Sequence, residues 1–345
     1  MFELFLVFIL SVVLSAGLTF GIRAFMVRWR VLDIPNERSS HSQPTPTLGG
    51  LGIIFGVGGS LLLGHILFGL PNVPILQAIG FGTLIILILI YDEIRPLGRF
   101  SKLLVQILSS LIVMWAGVIL HRIEIPVFGE INFDWAAFPI TLLWLVGLQN
   151  IYNFMDGIDG IAGSEGFLVS GLICGLAFFL MPSLAPVCAA IAGGALGFLF
   201  FNFPPAKIFM GDVGSHFIGL SLASVAIWGE THHIPFWITA LFSGVFIYDA
   251  TYTLFRRLFQ GENITLAHCT HIYQRLNRMN WSPLRVTIWF GTGTLMFGLV
   301  GYLYAFGFHS LAFWVLGIFV LLIVVGTVCL EYDWRTKHSE ALKDK

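Results

Sequence analysis

The stretch Leu148–Gly163 reads LQNIYNFMDGIDGIAG. It sets four polar side chains three residues apart: Asn150, Asn153, Asp156 and Asp159. An apolar run, Ile140–Gly147, leads into it, and another begins at Phe167. Side chains three apart are neighbours on a helix surface. Each step of three falls about 60° short of a full turn, so on a continuous helix the set would spiral and its ends would face apart. Gly157 and Gly160 loosen the backbone where the acids sit, against helix propensity. A single Asp-Gly turn between two apolar segments is an ordinary connector. Two amides leading into two carboxylates at a fixed spacing form a constellation suited to binding or catalysis.

The flanking runs fix the fold class. Hydrophobic residues make up 57% of the chain and charged residues 11%, with a mean hydropathy of +0.87. A soluble domain carries about 25% charged residues. The chain is therefore expected to be an all-α, polytopic membrane helix bundle. A bilayer span takes about 20 apolar residues. Eleven segments qualify: Phe2–Thr19, Leu48–Leu70, Ile75–Tyr91, Leu103–Leu120, Ala136–Tyr152, Ile161–Met181, Leu184–Phe201, His216–Trp228, Phe236–Phe255, Val286–Phe306 and Leu311–Leu330. The first lacks a positive n-region and reads as a span, not a cleaved signal peptide. No repeat and no separately folding soluble domain is visible, so 1–345 reads as one integral-membrane domain with a short tail at 331–345. The cysteines Cys174, Cys188, Cys269 and Cys329 form no CxxC pair, which argues against a disulfide framework or a zinc site.

Lysine and arginine set the expected orientation. With the N-terminus outside and the C-terminus cytoplasmic, 17 of the 18 basic residues fall on the inner side, and only Arg122 lies outside. The longest outer connection, His121–Trp135, alternates apolar and polar residues and predicts a short hairpin. The acid-rich and histidine-rich stretches all fall on the inner side. The first reads DIPNERSSHSQPTPTLGG, Asp33–Gly50, and holds His41 and Thr45. The second, YDEIRPLGRFSK, Tyr91–Lys102, brings Asp92 and Glu93 straight out of an apolar run, with Arg95, Arg99 and Lys102 behind them. In FNFPPAKIFMGDVGSHFIG, Phe201–Gly219, Asp212 stands among glycines at a helix start, where Ser215 can cap and N–H groups favour phosphate. Phe209 reads equally as a base-stacking ring or an interfacial aromatic. The last loop carries His268 and His271, then Tyr273, Gln274 and Arg275. Without a third nitrogen or a thiolate, the histidine pair suits phosphate contacts better than a transition metal. Asp249 is an intramembrane acid and a functional candidate by default, with Arg256 or Arg257 as its simplest partner. Carboxylates beside basic groups at one membrane surface suit Mg²⁺ and a phosphorylated substrate.

These motifs, in this order, resemble the polyprenyl-phosphate N-acetylhexosamine-1-phosphate transferases. The likeness rests on Asp92 with Glu93, the N-x-x-N-x-x-D-G-I-D-G run at Asn150–Gly160, P-A-K-I-F-M-G-D-x-G-S at Pro205–Ser215, and His268 with His271. Arg38-Ser39-Ser40-His41 and Thr45-Pro46-Thr47-Leu48-Gly49-Gly50 add to it, and the likeness covers nearly the whole chain. It implies transfer of a sugar 1-phosphate, an N-acetylhexosamine or its 6-deoxy relative, from a UDP-sugar to undecaprenyl phosphate, with UMP released. The element A-H-x-x-H-x-Y-Q-R-L at Ala267–Leu276 looks most like the branch that starts O-antigen-type glycans. The family's aspartate pair appears here as Asp92-Glu93.

The resemblance also implies roles. Asp212 is the expected Mg²⁺ ligand, with Asp92 as a second, and Mn²⁺ as a substitute metal. Asp92 would orient or deprotonate the lipid phosphate. Asn153, Asp156 and Phe209 would hold the uridine, and Lys102 the pyrophosphate. His268 and His271 would meet phosphate or sugar. Asn150, Asp159, Thr45 and Arg275 complete the expected substrate contacts. The partners implied are the UDP-sugar, undecaprenyl phosphate and membrane lipid, with no nucleic acid and with room for a homodimer. The location implied is a bacterial inner membrane, with the site on its cytoplasmic face. A secondary transporter for an anionic solute is the rival reading, but transporters place their site near the midplane, often between inverted repeats.

Overall fold

The computed structural model describes residues 1–35, 43–70, 73–95, 98–126, 128–232, 234–263, 266 and 268–343. Arg38, Ser39, Ser40, His41 and Ala267 lie outside the described residues. The chain runs α1 (Phe2–Trp29), β1 (Leu32–Asp33), β2 (Thr45–Pro46), α2 (Gly50–Phe68), α3 (Pro74–Ile86), α4 (Ile90–Ile94) and α5 (Arg99–Trp115). It continues through β3 (Arg122–Ile125), β4 (Gly129–Asn132), α6 (Ala137–Met155), α7 (Ile161–Leu180), α8 (Ala185–Asn202) and α9 (Gly211–Glu230). The last elements are α10 (Phe236–Phe242), α11 (Gly244–Phe259), α12 (Ile272–Arg278), α13 (Pro283–Ala305) and α14 (His309–Lys343). The all-α reading holds. The residues expected as a tail from 331 onward continue α14 as helix to Lys343.

Each of the eleven apolar segments is mainly helical, although α5 stops at Trp115, short of the expected Leu120, and Phe236–Phe255 is broken at Ser243. The count of spans is smaller by length and composition. Among the described residues, eight helical stretches are long and apolar enough to cross a bilayer, and nine if α10 and α11, bent by 77° at their junction, make one span. The two segments that fall short have different reasons. α5 has only 17 residues. α9 has 20 but carries Asp212, His216, Ser221, Ser224 and Glu230. Nearly all of α9 is buried by other helices, so Asp212, His216, Ser224 and Glu230 find their hydrogen-bond partners within the protein.

Close helix contact in the first half comes from small residues, as expected where lipid supplies no hydrophobic drive between helices. Ser11 and Ser15, one turn apart on α1, donate to the carbonyls of Ala190 and Gly194 on α8 at 2.6 and 2.7 Å. A methyl group on Gly197 would sit 2.4 Å from the Val12 carbonyl oxygen. α6 and α9 approach closely too, and Trp144 Nε1 donates to the Ala223 carbonyl at 3.1 Å. The anticipated hairpin is present, with β3 antiparallel to β4 and Ile123 opposite Ile131. Glu230, at the end of α9, accepts the Glu124 N–H at 2.8 Å and also the Phe236 N–H, which ties the hairpin and α10 to the bundle.

Candidate functional site

α6 ends where the acids begin. Its last residue is Met155 and Asp156 is the C-cap, so the spiral of four polar groups is cut in half. Asn150 and Asn153 stay on the last two turns, and Asp156–Gly160 turns the chain back into α7. Gly160 makes this turn with φ of 79°, a left-handed conformation that side chains disfavour. The turn is held from outside. The Gly160 N–H donates to Asn202 Oδ1 at 3.0 Å, and Asp159 Oδ2 accepts the Ala206 N–H at 2.9 Å. Asp159 thus holds the loop before α9, and its carboxylate is engaged with backbone.

A second backbone junction positions Asp212. The Phe209 N–H donates to the Pro46 carbonyl, while the N–H groups of Gly49 and Gly50 donate to the carbonyls of Phe209 and Met210, each at 2.8 Å. The Thr45–Gly50 motif is therefore a strap laid along the segment that enters α9. Thr45 is buried, and its Oγ1 donates to the Gln43 carbonyl at 3.0 Å. Gly211, with φ of 74°, then turns the chain so that Asp212 opens α9.

Asp212 is the hub of the cluster. Lys102 Nζ lies 2.7 Å from Asp212 Oδ2 and 2.7 Å from Asp92 Oδ2. Asn153 Nδ2 donates to Asp212 Oδ1 at 2.8 Å and to Ser215 Oγ at 3.2 Å. The Asp212 N–H donates to Glu93 Oε1 at 3.0 Å. The longer side chain at the second position of the acid pair thus reaches back to hold the start of α9. Burial opposes the charge on Lys102, but Asp212 and Asp92 more than offset it and raise the Lys102 pKa. The carboxyl of Asp156 moves the other way. Burial, then the nearby Asp212, Glu93 and Asp159 charges, push its pKa well up.

A layer of amides and imidazole backs this hub. Gln106 and Asn150 exchange two bonds, Gln106 Nε2 to Asn150 Oδ1 at 3.1 Å and Asn150 Nδ2 to Gln106 Oε1 at 2.8 Å. Gln106 Nε2 also meets His216 Nε2 at 2.7 Å, and His216 Nδ1 meets the Asp212 carbonyl at 2.6 Å. One proton arrangement satisfies all of these contacts: a neutral His216 with hydrogen on Nδ1. Asn150 is spent on Gln106, one layer behind Asn153. Neither Gln106 nor His216 stood out in the sequence. Gln106 lies four residues after Lys102, and His216 four after Asp212, so helical spacing was the available signal.

The histidine element forms a neighbouring cluster at the same end of the bundle. Tyr273 Oη donates to the Phe154 carbonyl at 2.9 Å, which docks α12 beneath the end of α6. Asp249 does not pair with Arg256 or Arg257, as the sequence had predicted. It accepts the N–H groups of Ile272 and Tyr273 at 2.9 and 3.1 Å, together with His271 Nδ1 at 3.1 Å. The reason is local: a buried carboxylate on α11 meets the open N–H groups at the start of α12. Arg257 instead binds Glu262 at 2.8 Å. His268 stacks on His271 with ring centres 5.0 Å apart. Burial, then His271 and Arg257, pull the His268 pKa down to about 4. Arg275 is buried and binds Glu331 on α14 at 2.6 Å. The structure thus joins Asp92, Lys102, Asn153 and Asp212 directly, with Phe209 on the segment that the strap holds before α9. It holds His268 and His271 in an adjacent group and turns Arg275 toward α14.

The donor set can be tested against a divalent metal. Two carboxylate oxygens converge on a single ammonium, which shows that the spot favours positive charge, and both are hard donors. Mg²⁺ is commonly held by one or two carboxylates together with substrate phosphates. Asp92 and Asp212 fit that pattern.

Residues 75–230, which contain Asp92, Lys102, Asn153, Asp156 and Asp212, match glycosyl transferase family 4. A decaprenyl-phosphate N-acetylglucosaminephosphotransferase of Mycolicibacterium smegmatis is 30% identical over 336 residues, covering 86% of this chain and 81% of the relative. The chain belongs to glycosyl transferase family 4. A probable undecaprenyl-phosphate N-acetylglucosaminyl 1-phosphate transferase of Bacillus subtilis is 29% identical, over 94% of this chain and 90% of its own length. A phospho-N-acetylmuramoyl-pentapeptide-transferase of Orientia tsutsugamushi is 27% identical, over 85% and 91%. With both donor types among the relatives of this family 4 chain, the choice of sugar has to come from the site itself.

Proposed function

We propose that this protein transfers a sugar 1-phosphate from a UDP-N-acetylhexosamine to undecaprenyl phosphate, releasing UMP. The observation that carries the reading is the convergence of Asp92 and Asp212 on Lys102 at one end of a membrane-crossing bundle, in a family 4 chain. In the reaction an oxygen of the lipid phosphate attacks the phosphorus that bears the sugar. The new P–O bond forms as the bond to the bridging oxygen breaks, and that oxygen leaves with UMP. Such a transfer depends on positioning and charge neutralisation more than on covalent help. Lys102 offers a fixed positive charge to the diphosphate. Asn153 fixes the carboxylate of Asp212, and Glu93 holds its backbone N–H. Asp92, buried in α4 at the end of an apolar run, orients the acceptor phosphate. Asp156 and Phe209 border the space for the uridine. Asp212 and Asp92 would hold Mg²⁺, which supplies Lewis-acid stabilisation of phosphoryl oxygen charge when bound.

The orientation follows from the bias of basic residues: the site faces the cytoplasm of a bacterial inner membrane, where nucleotide sugars are available. The histidine element A-H-x-x-H-x-Y-Q-R-L favours a donor used to start O-antigen-type or related surface glycans, and two of the relatives are named for N-acetylglucosamine transfer. The test is isotope exchange. Purified protein with undecaprenyl phosphate and Mg²⁺ should move label from UMP into UDP-N-acetylglucosamine or a 6-deoxy relative. Preference for UDP-N-acetylmuramoyl-pentapeptide would overturn the donor assignment, and absence of exchange with every UDP-sugar would overturn the reaction.

A further inference from the structure

A second charged cluster lies where α11, α12 and α14 meet, and the transfer reaction makes no use of it. Glu331 on α14 is its centre. Tyr252 Oη donates to Glu331 Oε1 at 2.6 Å, and Arg275 Nη1 lies 2.6 Å from the same oxygen. Arg256 Nε is 3.9 Å from Glu331 Oε1, and Arg335 Nε is 3.8 Å from Oε2. Three guanidinium groups therefore share one carboxylate. The shortage of acceptors is visible atom by atom. Nε and Nη2 of Arg275, and Nε and Nη2 of Arg256, are buried without a hydrogen-bond partner. Arg275 itself is fully buried, and its guanidinium stacks on Trp334 at 5.2 Å. Buried charged donors left unmatched are costly, and a native fold normally supplies them with an acceptor.

The cluster adjoins a cavity of about 520 Å³, lined by Tyr248 and Tyr252 from α11 and by Val324, Val328, Glu331 and Arg335 among the residues of α14. Its walls change along their length. Glu331 and Arg335 form a charged end just past the apolar run Leu311–Leu330, while Val324 and Val328 are exposed on the flank of a membrane-crossing helix. The cavity thus opens sideways toward lipid and ends at Glu331 and Arg335 at the membrane boundary, with Arg256 and Arg275 behind Glu331. Basic pockets between membrane helices at that level suit anionic head groups.

We propose that this notch binds the phosphate of an anionic phospholipid, with its glycerol and upper acyl chain lying along Val324, Val328 and the two tyrosine rings. The phosphate meets Arg335 first, competes with Glu331, and supplies the acceptor that Arg256 and Arg275 lack. Bound lipid then bridges α11 and α14 and steadies α12, which carries the histidine element.

Native mass spectrometry on the purified full-length protein tests this with phosphatidylglycerol and phosphatidylcholine as probes. Phosphatidylglycerol should be retained in preference, and Arg335→Gln and Arg256→Gln should each lower its retention roughly fivefold, the factor for one interfacial arginine. Glu331→Gln should raise it, because the competing carboxylate is gone. A purely structural ion-pair cluster gives a different pattern, in which all three variants bind less or none changes, and either pattern overturns the proposal. Equal retention of the two lipids overturns it as well. Displacement of phosphatidylglycerol by millimolar inorganic phosphate would mark a site for free anions and overturn the lipid assignment.

Discussion

At the scale of single residues, Asp212 is the most exacting position. Asp212→Asn keeps the shape and the bond to Asn153 but removes the charge that faces Lys102. Turnover should fall on the order of 10²-fold or more, about 2.7 kcal/mol of barrier. Exchange kinetics with Mg²⁺ titrated would measure it, and near-normal turnover would sink the assignment. Asp249→Asn should act differently. The new amide would turn an N–H group toward donors that now share the carboxylate, so the start of α12 should loosen by on the order of 1–3 kcal/mol. Faster hydrogen exchange across 268–276 with a smaller effect on turnover is the expected signature. His268 gives that segment a pH dependence. Its folded pKa lies near 4 and its unfolded value near 6.5, so below pH 6.5 the unfolded segment binds the proton more readily. Protection of 268–276 should weaken as pH falls from about 6.5 to about 4 and then level off, and His268→Gln should remove most of that slope.

At the scale of elements, the meeting of α2 with α9 is decided by two glycines. A methyl group on Gly50 would lie 2.3 Å from Gly214 Cα and 2.9 Å from the Met210 carbonyl oxygen, both backbone atoms that cannot swing aside. Gly50→Ala should therefore push the strap from the start of α9, with a loss of about 1–3 kcal/mol or more and a fall in turnover. Gly58→Ala, two turns along the same helix with nothing within 4 Å, should instead be neutral or slightly stabilising. Paired thermal midpoints in detergent would separate the two. This scale also shows what the chain discloses of itself. The β3–β4 hairpin was legible because alternation is a local signal. The break after Met155 was not, because Asn150 to Asp159 keeps its spacing whether or not the helix continues. The stretch from Thr45 to Gly50 stood out as a motif but not as a strap, since its partners, Phe209 and Met210, lie far away in the chain. Asp249 was misjudged for the same reason: the nearest basic residues in sequence, Arg256 and Arg257, lost to the N–H groups of a helix more than twenty residues on.

For the whole molecule, apolar patterning located the helices but could not settle how many face lipid. α9 shows why. Its serines, His216 and Glu230 dilute its hydropathy, yet it runs through the middle of the bundle, where neighbouring helices solvate it. A hydropathy reading sees only composition, whereas the burden of satisfying polar groups is shared across elements. The orientation can be tested directly. In a background without the four native cysteines, Phe128→Cys in the hairpin should react with an impermeant maleimide in intact cells. Gln260→Cys, beyond α11, should react only after permeabilisation. Labelling of both from one side would rule out the proposed topology.

The lysine between Asp92 and Asp212 has a consequence for the order of events. In the resting protein its ammonium bridges both carboxylates and offsets half of their charge, so a free divalent ion arriving alone has to compete with it. In the proposed reaction the nucleotide diphosphate would share the ammonium and so weaken its hold on the two acids together. Metal and donor should then enter as a synergistic pair, each raising the affinity for the other by the same factor. Lys102→Met would abolish that reciprocity and leave a protein that scavenges divalent ions without any nucleotide, a behaviour calorimetric titration would reveal.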